Sequence, residues 1–446
     1  MRDNIRMSIL TAGLFLVTVH VLLYALKRFI VSPPLDSSFL DVAQVNAKGK
    51  KAVAVITGGC SGLGLEIAYQ LYNVVGMDII LGCRNAVMAS VICDHLTNSS
   101  ISHQFGSSSG SSSGKRSCYA PGPLDLASFR SVRDFASQVS HIPGKVPNIL
   151  ILNAGIRHNR FNLTEDGVES HYQVNHLSHF LLVNLLLPIM NSSPADEVRI
   201  IHVSSSAHYY GKVDRRVYGN IGPIHKSVLS PFIEQKLEAT VKRSGVGDEI
   251  YHHETHDITT TDYNDIIKRG NEIFHEIQSN RLEGVYGDTK LMQVLFSDEL
   301  QKRLDSNLNQ KHNRPIEDGE KNKAGMTMDR TKFKSIAVHP GFVNSNMGHE
   351  DTRWMQTALV LARPFLARSL FEGSLSVLFA VTSPILHGGE YVDNCEVKQA
   401  LSRSDIEIKG IDHILPPGSE PDIGRFLWDI SAKLCALSIT LEYDEE

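Results

Sequence analysis

The sequence lacks a strong charge bias. Across 446 residues, 44 Lys and Arg stand against 49 Asp and Glu, so the formal net charge is −5. Without a basic excess, nucleic acid is not indicated as the main partner. Charged residues make up only 21% of the chain and hydrophobic residues 42%, which excludes global disorder and allows a sizeable core.

Cysteine is also scarce. None of the six forms a Cys-x-x-Cys pair, and they are scattered along the chain, at Cys60, Cys83, Cys93, Cys118, Cys395 and Cys435. This distribution indicates neither a disulfide framework nor a zinc site, so we expect buried, reduced thiols in a cytosol-like compartment. Three N-glycosylation sequons, at Asn98, Asn162 and Asn191, would matter only for a lumenal domain.

One long apolar run stands at the N-terminus. Residues 7–26 contain no Asp, Glu, Lys or Arg, and 20 residues in a helix span roughly 30 Å, about one bilayer core. A secretory signal peptide is the alternative, but its apolar core is usually shorter and ends at a small-residue cleavage site. This run ends in Lys27 and Arg28, which favours a retained anchor. Basic residues at both ends set the orientation only weakly.

The rest of the chain alternates buried strands with helical patterns. Apolar runs around residues 52–56, 77–83, 148–152, 198–203 and 333–339 are typical of strands, with a short last one near Glu390. Such alternation predicts a single α/β domain with a doubly wound, Rossmann-like parallel sheet. We assign residues 1–31 to the anchor, 32–50 to a linker and 51–446 to this domain. Polar or Ser/Gly-rich insertions are expected as loops at 97–117, 211–281 and 305–330.

A glycine-rich turn, "TGGCSGLG", stands between the first strand and its helix. Gly58, Gly62 and Gly64 allow close backbone approach, and the helix N-terminus offers N–H groups to a pyrophosphate. An ordinary βα turn is the alternative. About 20 residues on, where an acidic residue would bind the ribose of NAD, the sequence has Arg84. A guanidinium suits a 2′-phosphate, which favours NADP(H) over a merely solvated surface arginine.

These features resemble the short-chain dehydrogenase/reductase family, and more of its motifs follow in order. They are "LDL" with Asp125, "NAG" at 153–155, "VNH" with Asn175, "VSS" with Ser205, Tyr286 with Lys290, and "HPGFV". The match runs from about residue 51 to 395, outside the insertions. Within the family, "GCRN", "VNHLSHFLL" and "GGEYVDNCEV" are similar to membrane-associated retinol-dehydrogenase-like members and related fungal oxidoreductases.

The resemblance implies a set of cofactor-binding positions. They are Thr57, Gly58, Ser61, Gly62, Leu63, Gly64, Arg84, Asp125, Asn153, Ala154, Gly155, Tyr286, Lys290, Pro340, Gly341, Val343 and Ser345. Asp125 would meet the adenine amino group. Ser345 stands where the family usually has threonine, and its hydroxyl would still reach the nicotinamide carboxamide.

The resemblance also implies the catalytic residues Asn175, Ser205, Tyr286 and Lys290. Tyr286 would be the general acid/base; an unperturbed tyrosine titrates near pH ~10, so it needs help at neutral pH. Lys290 lies four residues on, on the same helix face, and its charge would favour the phenolate. Ser205, chosen over its neighbouring serines because the family's serine usually follows "VS" or "VT", would bind the substrate oxygen. Asn175 would hold a water linked to Lys290.

Besides Ser345, a second departure from the family pattern bears on the site. Tyr286 comes 81 residues after Ser205, further than in familiar members, so residues 211–281 must loop out beside the site. Loop-closure cost grows only slowly with length, so this is tolerable. Within that segment, His252, His253 and His256 have no further ligand signal, and we predict no metal.

The sequence therefore predicts a membrane-anchored NADP(H)-dependent oxidoreductase that interconverts an alcohol and a ketone or aldehyde. We expect a lipid-like substrate (retinoid, sterol or long-chain carbonyl), contact with membrane lipid, a homodimer, and a catalytic domain on the cytosolic side of the endoplasmic reticulum or a lipid droplet. The alternative is a cofactor-binding membrane scaffold or sensor whose insertion 211–281 binds a partner; the complete Asn, Ser, Tyr and Lys set argues against it.

Overall fold

The computed structural model describes residues 18, 52–103, 116–213, 268, 271–272, 274–275, 279, 284–313, 332–343, 367–400 and 423–435. The predicted anchor at 7–26 lies outside these residues apart from Thr18, as do Ser345 and the histidines at 252–256. Among the described residues, no helix combines the length and the apolar character needed to cross a membrane.

The centre of the fold is one sheet, in which the described part of the chain places eight strands in the order β3-β2-β1-β4-β5-β6-β7-β8. The first seven pair in parallel, and β8 joins the edge antiparallel to β7. The strands are β1 (Val53–Thr57), β2 (Asp78–Gly82), β3 (Cys118–Tyr119), β4 (Ile149–Leu152), β5 (Val198–Val203), β6 (Phe333–His339), β7 (Tyr391–Asp393) and β8 (Glu396–Lys398). This confirms the Rossmann-like parallel sheet, while β8 was not foreseen.

Helices cover both faces of the sheet, which is why the central strands β1, β4 and β5 are buried along their whole length. They are α1 (Gly62–Gln70), α2 (Ala86–His103), α3 (Phe129–Ser140), α4 (Ser170–Tyr172), α5 (Ser178–Asn191), α6 (Gly284–Asn313), α7 (Leu370–Thr382) and α8 (Ile423–Leu434). A π turn extends α1 over Leu71–Val75, and a second one, Gln173–Leu177, joins α4 to α5. One core lies beneath α1, α2 and α7, and the other beneath α3, α5, α6 and α8.

The last two described helices pack on different cores, α7 on the first and α8 on the second. A capping box starts α7: Ser369 Oγ accepts from Glu372 N at 3.1 Å, and the Glu372 carboxylate accepts from Ser369 N at 2.8 Å. On α8, Trp428 is 3% exposed and its ring centroid lies 4.9 Å from that of Phe180. Both α7 and α8 are therefore core helices.

The structure corrects the expectation of irregular loops in two places. Helix α2 continues to His103, since Leu96 is buried and the Thr97 hydroxyl donates to Cys93 O at 2.8 Å. Helix α6 continues to Asn313; Leu304 is buried and Gln301 Nε2 donates to Asp305 Oδ1 at 3.0 Å. Residues 104–115 and 314–330 lie outside the described part of the chain.

The expectation of reduced thiols is wrong for four of the six cysteines. Disulfides join Cys60 to Cys83, with Cα atoms 6.0 Å apart, and Cys93 to Cys118, with Cα atoms 4.9 Å apart. Because β1 pairs with β2, the turn after β1 lies beside the end of β2, and positions distant in sequence meet. Cys435 stays a buried thiol that donates to Leu177 O at 3.5 Å.

Candidate active site

The predicted site residues gather at the carboxyl edge of the sheet. In this strand order the connections leave β1 and β4 in opposite directions, which opens a crevice at that edge. The residues come from five successive strand ends: the glycine turn after β1, Arg84 after β2, residues 153–155 after β4, Ser205 after β5, and Pro340, Gly341 and Val343 after β6. Tyr286 and Lys290 come from α6, which packs beside this edge.

The glycine turn combines tight packing with open space. Gly58 and Gly62 have φ values of +66° and +52°, which other residues rarely adopt. A Cβ on Gly64 would lie 2.3 Å from Gly58 O and 2.5 Å from Asn153 Nδ2, whereas a Cβ on Gly62 would meet nothing within 4 Å. Ser61 precedes α1 with an extended backbone and an exposed side chain. The turn therefore leaves room at a helix N-terminus, where anions bind well.

Thr57 ties this turn to the segment after β4. Its hydroxyl oxygen accepts from Asn153 N and Ala154 N, each at 3.0 Å, and Asn153 Nδ2 donates to Thr57 O at 3.0 Å. The same hydroxyl lies 3.0 Å from His179 Nε2 on α5. His179 is fully buried, and burial lowers its pKa to about 3, so it is a neutral support. No motif in the sequence pointed to His179.

The two polar side chains predicted to meet the adenosine half of a dinucleotide are accessible. Arg84 is exposed directly after β2, beside the glycine turn, because Gly58 N donates to Gly82 O at 2.8 Å. Asp125 is half-buried, and one of its carboxylate oxygens accepts from Ala127 N at 3.0 Å. Both lie on the β3 side of the crevice, away from α6.

Lys290 is deeply buried on α6. It is 2% exposed, and its Nζ donates to Val203 O and to Gln293 Oε1, each at 2.9 Å. Burial lowers the pKa of Lys290 to about 7. Tyr286 lies one turn earlier on the same face, and its ring centroid is 5.6 Å from Lys290 Nζ. The ammonium is thus held close to the phenol by backbone and side-chain acceptors.

Asn175 sits in the π turn between α4 and α5, a distortion that frees backbone groups and is frequent at functional sites. Its side chain accepts from Ile156 N at 2.8 Å and donates to Ile156 O and Thr289 Oγ1, each at 3.0 Å. Its main-chain carbonyl accepts from Gln293 Nε2 at 2.9 Å. Gln293 therefore links Asn175 directly to Lys290, a contact that the sequence analysis missed; its position three residues after Lys290 is the only signal for it.

The three adjoining serines differ in their contacts. Ser204 is buried, and its hydroxyl donates to Lys290 O at 2.8 Å, so it holds α6 in place. Ser205 is half-buried, and its Oγ accepts from Ala207 N at 3.2 Å at the start of a 3₁₀ turn, Ser206–Tyr210. These contacts favour Ser205 over Ser204 as the hydroxyl that faces a substrate.

The chain after the serines runs directly alongside α6. Lys212 N donates to Asp288 Oδ1 at 2.7 Å, and a Cβ on Gly211 would lie 2.4 Å from Gly287 O. The far end of the long insertion also returns to the domain, where Phe274 is buried with its ring centroid 5.9 Å from that of His171. The start of segment 211–281 therefore packs beside α6 next to Tyr286, and part of its end packs against His171 on α4, although most of the segment lies outside the described residues.

Two histidines near the serines act as structural supports. The Nδ1 of His208 lies 2.7 Å from Ser205 O, and His339 Nδ1 accepts from Ser206 N at 3.2 Å. Burial lowers the pKa of His208, and it lowers the pKa of His339 to about 4.

Beyond His339, Gly341 has a φ of +83°, and a Cβ there would lie 2.8 Å from Arg368. Within the described residues, no group of three or more His, Cys, Asp or Glu side chains could hold a metal ion.

A family model described as short chain dehydrogenase matches residues 52–220. Retinol dehydrogenase 14 of Mus musculus is 26% identical over 391 residues, which cover 84% of each chain. Short-chain dehydrogenase TIC 32 A, chloroplastic, of Brassica napus is 40% identical over 169 residues, 36% of this chain and 46% of that protein. Among solved structures, salutaridine reductase from Papaver somniferum covers 76% of this chain and 99% of its own, with 16% identity and a TM-score of 0.42.

Proposed function

Because the chain belongs to the short-chain dehydrogenase/reductase family, we propose that it is an NADP(H)-dependent oxidoreductase interconverting an alcohol and a ketone or aldehyde. The observation that carries the proposal is the buried Lys290, held by Val203 and Gln293 with its ammonium 5.6 Å from the Tyr286 ring. A buried cation beside a phenol on one helix face suits a tyrosine that exchanges a proton with a substrate oxygen.

The residues at the crevice fit a dinucleotide. The open space at Gly62 and the first turn of α1 would receive the pyrophosphate, and Arg84 would face a ribose 2′-phosphate. Asp125 would contact the adenine, and Asn153 to Gly155 would lie beneath the bound cofactor. The bound nicotinamide would supply or accept the hydride.

The chain's own residues handle the proton and the substrate oxygen. Tyr286 would donate its phenolic proton to the carbonyl oxygen during reduction and take it back during oxidation. Ser205 would hydrogen-bond the same oxygen. Lys290 would stabilise the phenolate, and Asn175 would support the proton relay, now with Gln293 between its main-chain carbonyl and Lys290.

We propose a lipid-like substrate: a retinoid, a sterol or a long-chain carbonyl compound. Support comes from the name of the mouse relative, retinol dehydrogenase 14, and from the apolar run at 7–26, which would hold the enzyme at a membrane of the endoplasmic reticulum or a lipid droplet. Membrane lipid and a second copy of this chain remain predicted partners. The predicted cytosolic side is at odds with the two disulfides, which persist in oxidising compartments.

The decisive experiment compares the full-length protein with Tyr286→Phe. NADPH should bind both, seen as a change in its fluorescence, while turnover should be lost only in the variant. Turnover screened with retinoid, steroid and long-chain aldehydes or ketones, each with NADPH and with NADH, would identify the substrate class. Unchanged turnover in Tyr286→Phe would overturn the mechanism.

A matched variant tests the cofactor. Arg84→Glu should weaken NADPH binding by about tenfold or more, the loss expected when a charged hydrogen-bond partner is removed, and should leave NADH binding equal or better. Arg130, which is exposed on α3, provides the control variant Arg130→Glu. If Arg84→Glu and Arg130→Glu behave alike, NADP preference does not depend on Arg84.

A further inference from the structure

A second cation lies against the ring of Tyr286. The Cζ atom of Arg157 is 5.5 Å from the ring centroid, and Lys290 Nζ is 5.6 Å from the same point. The two cations come from different elements, since Arg157 stands in the segment after β4 and Lys290 on α6. Tyr286 itself is only 7% exposed. Two positive groups thus converge on one buried phenol.

We propose that Arg157 is a positioning residue for this reaction, a second cation that stabilises the ionised form of Tyr286. The inference rests on the proposed function, in which Tyr286 exchanges the proton. It adds a residue outside the Asn175, Ser205, Tyr286 and Lys290 set. Phenolate charge is delocalised into the ring, so a guanidinium within about 6 Å of the centroid favours that form over the neutral phenol.

The state of Lys290 explains why a second cation is useful. Burial lowers the pKa of Lys290 to about 7, so its positive charge is less secure near neutral pH than that of an exposed lysine. Two of its three possible N–H donors are already directed at Val203 O and Gln293 Oε1. A guanidinium keeps its charge throughout this pH range. Arg157 is also half-buried, so its charge is less costly to maintain than that of Lys290, though more open to screening by salt.

Other titratable groups on the elements packed against α6 contribute less positive charge. The buried pair Glu169 and His171 is joined at 2.7 Å; although burial opposes it, the charge of His171 holds the pKa of Glu169 low. Burial lowers the pKa of His208, which favours its neutral form. On α6 itself Asp288 is engaged by Lys212 N. His158 stacks on His171, with ring centroids 4.0 Å apart. Arg157 and Lys290 are therefore the cations placed at the phenol ring among the described residues.

The test measures the ionisation of Tyr286 without any substrate. Tyrosinate absorbance is recorded against pH for the full-length protein and for Tyr286→Phe, and the difference isolates Tyr286. In Arg157→Gln the midpoint of this difference should rise by about one pH unit or more, as for loss of an opposite charge at this range. Arg157→Lys should restore most of the shift. Arg160, exposed in the same segment, supplies the control Arg160→Gln, which should leave the midpoint in place.

A midpoint unchanged in Arg157→Gln, or moved equally by Arg160→Gln, would overturn the inference. If Arg157→Gln fails to fold, the wild-type midpoint is followed from low to high salt instead: it should rise as the half-buried guanidinium is screened, and a constant midpoint would overturn the inference. Failure of the proposed function looks different, since it appears as full turnover in Tyr286→Phe whatever the titration gives.

Discussion

The disulfide between Cys60 and Cys83 should matter for cofactor binding as well as for stability. Cys60 lies within the glycine turn, and Cys83 immediately precedes Arg84. One covalent bond thus joins the segment proposed to hold the pyrophosphate to the residue proposed to hold the 2′-phosphate. The second disulfide, Cys93 to Cys118, joins α2 to β3 and touches neither segment. The second disulfide can therefore serve as a control for the first.

Their contributions to stability should be nearly equal. The bonded cysteines are separated by 23 residues in the first disulfide and by 25 in the second. For loops of this length, the chain-entropy model gives about 3 kcal/mol of stabilisation for each. The double variants Cys60→Ser/Cys83→Ser and Cys93→Ser/Cys118→Ser should therefore lower the free energy of unfolding by similar amounts.

Their effects on affinity should differ. The turn contains two glycines with positive φ, Gly58 and Gly62, and without the bond it gains conformational freedom that binding must remove. Fixing one residue costs about 1–2 kcal/mol, so the Kd for NADPH should rise roughly tenfold in Cys60→Ser/Cys83→Ser. In the other double variant the Kd should stay within about twofold.

Isothermal titration calorimetry with NADPH measures both affinities, and urea unfolding followed by circular dichroism measures both stabilities. The reasoning is refuted if the two double variants lose affinity equally, or if Cys60→Ser/Cys83→Ser binds NADPH as tightly as the wild type while losing stability.

Two further predictions concern the buried polar groups of α6. Gln293→Leu leaves Lys290 Nζ and Asn175 O each without one hydrogen-bond partner. The variant should therefore cost about 1–3 kcal/mol of unfolding free energy and lower kcat more than NADPH affinity, whereas Gln293→Asn should recover part of both. An equal kcat in Gln293→Leu and the wild type would contradict this prediction. Burial lowers the pKa of Lys290 from 10.5 to about 7, so between these pH values the unfolded chain binds one more proton than the folded chain, and stability should rise with pH. Thermal unfolding from pH 6 to 10 measures the slope of stability against pH, which should be flatter in Lys290→Met than in the wild type. An identical slope in the two proteins would contradict the prediction.

Much of the fold and part of the site follow from local sequence. Strand and helix patterns are short-range, so the alternation around the glycine turn predicted the parallel sheet correctly. The spacing of Tyr286 and Lys290 is equally local, because four residues on a helix return to the same face. The ordered motifs supplied the candidate site residues, and those residues meet because the carboxyl ends of parallel strands share one edge.

The features that were missed depend on contacts between elements distant in the chain. Gln293 reaches the main-chain carbonyl of Asn175 across a separation of 118 residues, and that carbonyl lies in a π turn. Arg157 meets Tyr286 through the packing of α6 on the segment after β4. Neither contact leaves a periodic pattern in the sequence. The same holds for the disulfides, whose cysteines look scattered until β1, β2 and β3 lie side by side.

The two disulfides also bear on the compartment in which the domain folds. Four of six cysteines are bonded, and such bonds persist in oxidising compartments rather than in the cytosol. The sequons at Asn98 and Asn162 carry exposed asparagine side chains, so both are accessible on the folded surface. For a domain in the lumen of the endoplasmic reticulum we expect N-glycans at these positions. Endoglycosidase treatment should then increase the gel mobility of the native protein, and the increase should be smaller in Asn98→Gln/Asn162→Gln. Thiol alkylation before reduction should leave Cys60 and Cys83 unmodified. No mobility change together with alkylation of both cysteines would place the domain in the cytosol.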